Sequence, residues 1–218
     1  MICLALECST RRRSVAVARD DLVLARAVHD TGRDTPLFRM IADVLGSASV
    51  VPEQVGCVAV GLGPGSYTGI RIAIAAAQGW AAAHEVRLIG IDSVLAVAHE
   101  ARRLGHRGLV AAAADAHRGE FYVAEYDLRA DVPMPVTELR IVGRPDIEAL
   151  HAAGRLVVGP DLEIPGVAVE EVFPEAGRVA TLAHAAPTAV APEDLRPIYL
   201  RSTTFVKAPA PSFARRAP

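Results

Sequence analysis

The chain of 218 residues is short of aromatics and cysteines and carries no excess of positive charge. Phe, Trp and Tyr make up 5% of it, too few for a platform on which unpaired bases stack in succession. Lys and Arg number 23 against 25 Asp and Glu, a formal charge of −2, whereas a protein that grips phosphate backbones unaided carries the opposite balance. Cys3, Cys8 and Cys57 form neither a Cys-x-x-Cys pair nor an even framework of bridges. They point to a reducing, cytoplasmic location, where such a residue serves as a small buried hydrophobe. The apolar run 2–6 meets Glu7 too soon to be a signal-peptide core. No stretch reaches the ~20 apolar residues that cross a bilayer, and the nearest, 70–83, is broken by Arg71 and Gln78. What is abundant is apolar aliphatic residue, 51% hydrophobic in all, which excludes a disordered chain.

Residues 2–7 read as a strand covered on both faces, 14–19 and 22–28 as two more strands joined at Asp20-Asp21. Thr35 and Pro36 read as the start of a helix carrying Leu37, Phe38, Met40, Ile41, Val44 and Leu45. A strand over 55–62, a helix over 68–84 begun by Thr68, a strand over 87–92 and a helix from Ser93 to about 103 follow. The order β-β-β-α-β-α-β-α is that of the ribonuclease H-like half of the actin-like (ASKHA) fold, an α/β architecture. After a Gly-rich break at 105–108 the pattern restarts in reduced form, with strands at 109–115, 121–126, 136–142 and 156–159 and helices at 145–153 and 178–185. The chain therefore reads as two lobes, 1–104 and a smaller 105–206, followed by an Ala, Pro and Arg tail over 207–218 expected to be disordered.

The segment from Gly61 to Arg71 (GLGPGSYTGIR) is a strand-to-helix turn built on glycine. Such a helix start can cradle a phosphate, and it can equally be a tight structural turn. It lacks the Lys of a P-loop and the spacing of a dinucleotide fingerprint. Glu7, Ser9 and Thr10 at the end of the first strand, with Gly63, Gly65 and Ser66, form the candidate remnant of a phosphate loop. Seven histidines are present, no two of them four residues apart, so no helix face carries a His-x-x-x-His metal pair. No local nucleophile signature occurs either, and no catalytic or metal-binding residue is assigned. In the helix after the glycine loop, Ile70, Ile74, Ala77 and Ala81 make one stripe. Ile72, Ala76, Gly79 and Ala83 make a second on nearly the opposite side, where a surface helix should be polar. A partner's helix would explain it, as would full burial in the core.

The runs GLGPGSYTGIRIAIAAAQGWA, LALECST, ADAHRGEFYVAEYD and Pro197-Ile-Tyr199-Leu-Arg201 resemble the signatures of the TsaB (YeaZ) family, from about residue 2 to 201. The resemblance implies a non-catalytic subunit in the synthesis of threonylcarbamoyladenosine beside the anticodon of tRNA. It implies pairing with TsaD, which holds the metal and transfers the group, and with the ATPase TsaE. ATP and metal would sit on those partners, this chain would need no cofactor and no membrane, and tRNA would be met only through the complex. TsaD's metal-bearing His-x-x-x-His would fall near Ser93 and Val97, neither of which is histidine. The family uses its first two helices to bind TsaD, or a second copy when TsaD is absent. Leu37, Phe38, Met40, Ile41, Val44, Ile72, Ala76, Gly79 and Ala83 are the contacts this implies. Arg33-Asp34-Thr35 departs from the family's usual His-Ser-Glu, and Glu7 from its usual Asp. The alternative from a different class is a nucleotide-dependent phosphotransferase or metallopeptidase of the same fold.

Overall fold

Unbroken aliphatic runs form β1 (Ile2–Glu7) and β4 (Val55–Gly61), and both strands are buried on both faces. The computed structural model describes residues 1–30, 36–185 and 188–201. The expected cap Thr35, the departure at Arg33-Asp34 and the tail 207–218 lie outside those residues. β2 (Arg12–Arg19) pairs antiparallel with β1, and β3 (Leu22–Asp30) with β2. β4 and β5 (Arg87–Ile91) add in parallel, for the order β3-β2-β1-β4-β5. This mixed five-stranded sheet is the ribonuclease H-like core of an actin-like fold.

Alternation sorts the strand side chains to two layers. Leu4, Leu6, Val15, Val17, Val58 and Val60 face α1 (Leu37–Ser47) and α2 (Tyr67–Ala83). Ala5, Ala16, Ala59 and Ile89 face α5 (Ala176–Ala185). α3 (Ser93–Arg103) joins the halves: Ala96 packs beneath the first sheet, while Val94, Val97, Ala98 and Ala101 pack on the second.

The second sheet contains β6 (Leu109–Asp115), β7 (Glu120–Asp127), β8 (Met134–Pro135), β9 (Arg140–Gly143), β10 (Leu156–Gly159) and β11 (Val169–Glu171). Its order is β11-β10-β6-β7-β8, with β9 also paired to β7. α4 (Arg144–Ala152) seals one side through Ile147, packed among Ala111, Ala113 and Val157.

Several local expectations are corrected. α1 begins at Leu37 with Pro36 in the cap position and no side-chain cap. Ser66, not Thr68, caps α2: its Oγ accepts from the Gly69 N–H at 3.3 Å. Asp92, not Ser93, caps α3, with Oδ1 accepting from the Val94 N–H at 2.7 Å. The strand expected over 136–142 is split into β8 and β9, because the Thr137 hydroxyl takes the Glu125 N–H at 2.9 Å in place of a ladder carbonyl. The division at 104/105 separates the sheets but not the packing units. α5, expected in the second lobe, buries Val179 and Ala180 under the first sheet, and Val190 bridges to Leu88 there.

Candidate functional site

The ends of β1 and β4 and the starts of α2 and α3 converge on a cleft of about 220 Å³ between the lobes. Glu7, fully buried, lies at its root. Its Oε1 accepts from the Ser9 N–H at 2.6 Å and its Oε2 from the Ser93 hydroxyl at 2.8 Å. Ser93 Oγ in turn accepts from the Gly63 N–H at 3.1 Å. The Ser66 N–H donates to the Ser9 carbonyl at 2.6 Å. The structure thus gathers all six residues of the candidate phosphate-loop remnant. Ser9, Thr10, Gly65 and Ser66 line the cleft, facing Asp115, His117 and Asp161 of the second lobe.

Each glycine tested by an added methyl shows what the glycine segment is for. A Cβ at Gly61 would overlap the Glu7 carboxyl, one at Gly65 the Ser9 carbonyl, and one at Gly69 both the Arg13 guanidinium and the Cys8 carbonyl. Gly65 also has φ of 148°, a conformation closed to other residues without strain. The segment presses the start of α2 onto the end of β1, which accounts for its glycines as a structural turn.

Burial pushes the Glu7 carboxyl up from its ordinary range, against the opposing hydrogen bonds from Ser9 and Ser93 and the charge of Arg13. Asp92 is pushed up to about 6, again by burial, although the Val94 and Leu95 N–H groups oppose it. Ser93 and Val97 both line the cleft and offer a hydroxyl and an isopropyl group. Among the described residues no group of three His, Cys, Asp or Glu side chains is placed to hold a metal ion. Across the mouth, Arg11 donates to Asp30 at 2.6 Å, to Glu171 at 3.3 Å and to Asp161, joining the lobes. The arrangement supplies hydrogen bonds and shape to the cleft.

The outer face of α2 is a different kind of surface. Arg71, Ala75, Gly79, Ala82 and Ala83 are exposed, and among the described residues a methyl at Gly79 would meet nothing within 4 Å. The reading of this helix as wholly buried core is therefore wrong. The outward stripe is also rotated from the expected one, since Ile72 and Ala76 are half-buried and pack against the first-sheet core. On α1 the correction is larger. Leu37, Met40, Ile41 and Val44 are 1–5% exposed and belong to this chain's own core, because a helix lying on β2 and β3 buries a broad arc. Only Phe38 of the five named there, at 74% exposure, is free to meet another molecule.

Three residues at one end of this face were not singled out from sequence. The Arg71 guanidinium lies 4.0 Å over the Tyr67 ring and donates from Nε and Nη2 to the Tyr199 hydroxyl, each at 3.1 Å. Tyr67 and Arg71 are one helical turn apart, a spacing visible in the sequence; Tyr199 arrives only by tertiary folding. The segment that carries it is fixed to both lobes, through the Ile198 N–H to the Leu62 carbonyl at 3.0 Å and Arg201 to the Ala116 carbonyl at 2.9 Å.

Comparison with known proteins locates this architecture. Residues 35–153 match the family model described as TsaD: tRNA N6-adenosine threonylcarbamoyltransferase. The tRNA threonylcarbamoyladenosine biosynthesis protein TsaB of Escherichia coli (strain K12) is 31% identical over 226 residues, covering 94% of this chain and 96% of that protein. TsaB of Bacillus subtilis (strain 168) is 27% identical over 188 residues, covering 84% of this chain and 81% of that protein. Among solved structures, YeaZ from Pseudomonas aeruginosa matches with a TM-score of 0.78 at 27% identity, over 91% of this chain and 99% of that one.

Proposed function

The chain belongs to the TsaB (YeaZ) family, and from that premise we propose that it is a non-catalytic subunit that binds TsaD. Its role lies in tRNA threonylcarbamoyladenosine biosynthesis. In this reading TsaD carries the metal and the transfer chemistry, TsaE supplies ATP hydrolysis, and this chain holds TsaD in a competent state. It does so in the cytoplasm, where tRNA is modified, and pairs with a second copy when TsaD is absent.

The observation that supports the reading best is the outer face of α2. A surface helix of a monomer normally turns charge to water, yet here Ala75, Gly79, Ala82 and Ala83 face outward, with no side chain over Gly79 among the described residues. Small residues admit another helix closely. Phe38 and the Tyr67–Arg71–Tyr199 cluster are residue types that dominate binding energy at interfaces. On the side of the cleft, the reading is supported by a lining in which Ser93 and Val97 present a hydroxyl and an isopropyl group, where the family resemblance implies histidines in TsaD.

The test is reconstitution. The purified chain, TsaD and TsaE are assayed for tRNA modification together and with each omitted. Modification that needs this chain, with no transfer, kinase or peptidase turnover by the chain alone, is the expected pattern. Turnover by the isolated chain, abolished by Glu7→Ala, would overturn the non-catalytic reading.

A further inference from the structure

The parallel register of β1 and β4 sets Cys3 directly beside Cys57 in the middle of the first sheet. The same cross-strand row runs on to Ala18 on one side and Arg87 on the other. Both thiols face the α5 layer, which is otherwise filled by small side chains such as Ala16, Ala18, Ala59 and Ala180. Neighbouring strands lie ~4.8 Å apart, inside the ~4.4–6.8 Å that a disulfide requires between Cα atoms. Closing the bridge draws the Cβ atoms, which parallel neighbours hold about as far apart as their strands, in to ~3.5–4.5 Å.

The two thiols are also chemically unequal. Hydrogen bonding from Cys3 holds the Cys57 thiol below its ordinary range, with Arg87 adding to the effect, while the same contact and burial push Cys3 up. Of the two, Cys57 gives up its proton the more readily. Cys8, the third cysteine, lies in the opposite layer and is pushed up to about 12 by burial and by Glu7. The pair sits near the first residues of both strands, where the half-exposed Met1 packs over Gly56. Strand ends open locally far more often than strand centres, which gives small reagents access.

We propose that Cys3 and Cys57 form an oxidisable dithiol that closes, reversibly, into a disulfide between the two central strands. With hydrogen peroxide as oxidant, the Cys57 thiolate attacks one peroxide oxygen, the O–O bond breaks, and hydroxide leaves and is protonated to water. The resulting Cys57 sulfenic acid is attacked by the Cys3 sulfur, which gives up its proton as the hydroxyl departs as a second water. Two thiols and one peroxide thus yield one disulfide and two waters. A dithiol reductant reverses the step through a mixed disulfide.

The test uses the full-length reduced protein exposed to hydrogen peroxide, then unfolded, alkylated and mapped by peptide mass. A peptide pair linked through Cys3 and Cys57, with Cys8 still alkylated, is the expected product, and dithiothreitol should return both thiols. Cys3→Ser should abolish the link and leave Cys57 as sulfenic or higher acid, whereas Cys8→Ser should leave the link intact. The proposal is overturned if wild-type Cys3 and Cys57 stay free or overoxidise separately without the linked species, or if Cys8 is the preferred partner. None of these outcomes depends on TsaD.

Discussion

Two glycines on the same helix should respond oppositely to the same substitution. A methyl at Gly69 would overlap the Arg13 guanidinium and the Cys8 carbonyl, partners of a buried hydrogen bond of 2.7 Å. Either α2 lifts from β1, an overpacking cost of about 1–3 kcal/mol, or Arg13 loses its acceptor, at about 1–3 kcal/mol for a buried donor. Alanine's better helix propensity returns at most about 1 kcal/mol. The middle of either cost, less that return, makes Gly69→Ala about 1–2 kcal/mol destabilising, lowering Tm by about 2–8 °C in a domain of this size. At Gly79 a methyl meets nothing within 4 Å among the described residues, so Gly79→Ala should gain about 0.5–1 kcal/mol and raise Tm by about 1–4 °C. Urea titrations and thermal melts followed by far-ultraviolet circular dichroism measure both. Wild-type stability in Gly69→Ala would refute the packing role of the glycine segment. Destabilisation by Gly79→Ala would refute an open outer face.

Two further outcomes follow from the electrostatics. Asp92 is raised from 3.8 to about 6, so its folded form binds a proton more readily than its unfolded form. Its contribution is fully present below about pH 4, declines as pH rises to about 6 and is level above, a loss on the order of 2–3 kcal/mol. Asp92→Asn keeps the cap acceptor and should flatten that decline in urea titrations between pH 4 and 7, leaving a residual slope of the same sign from Glu7. Arg11 is 45% exposed, so its ion pairs with Asp30, Asp161 and Glu171 are screened by solvent. Arg11→Ala should cost little stability, and less still at about 1 M salt, where the screening length falls to ~3 Å. An unchanged cost at high salt would mean that Arg11 acts through its packing over Phe173 instead.

The first sheet was legible because its strands are short aliphatic runs cut by polar turns, such as Asp20-Asp21 between β2 and β3. α5 was not, since Ala176, Ala180 and Ala183 carry little periodic signal and their place under the first sheet is set by a return of the chain across both lobes. On α1, the partner contacts implied for Leu37, Met40, Ile41 and Val44 fail because one sheet surface buries a broad apolar arc and takes all four together. Only Phe38 is left over. On α2 the second face was visible and its centre was misplaced by part of a turn, because Ile72 and Ala76 lie on the shoulder where the helix meets the core. The cleft's residues were legible singly. The network from Gly63 through Ser93 to Glu7 joins positions 86 residues apart, a distance that spacing rules do not reach.

The most direct test of a partner-binding face on α2 is co-purification of Gly79→Arg with TsaD, read beside the melting curve of the variant alone. Gly79 is the right position because its surroundings are open, whereas Ala76 is half-buried and a charge there would also disturb the monomer. An arginine at the centre of a helix-to-helix contact would be desolvated without a partner, a cost of several kcal/mol to association and almost none to the free chain. The expected result is an unchanged melt, no recovery of TsaD with the variant, and loss of tRNA modification in the reconstituted system. A folded Gly79→Arg protein that still carries TsaD through purification and still supports modification would place the partner contact elsewhere on the molecule.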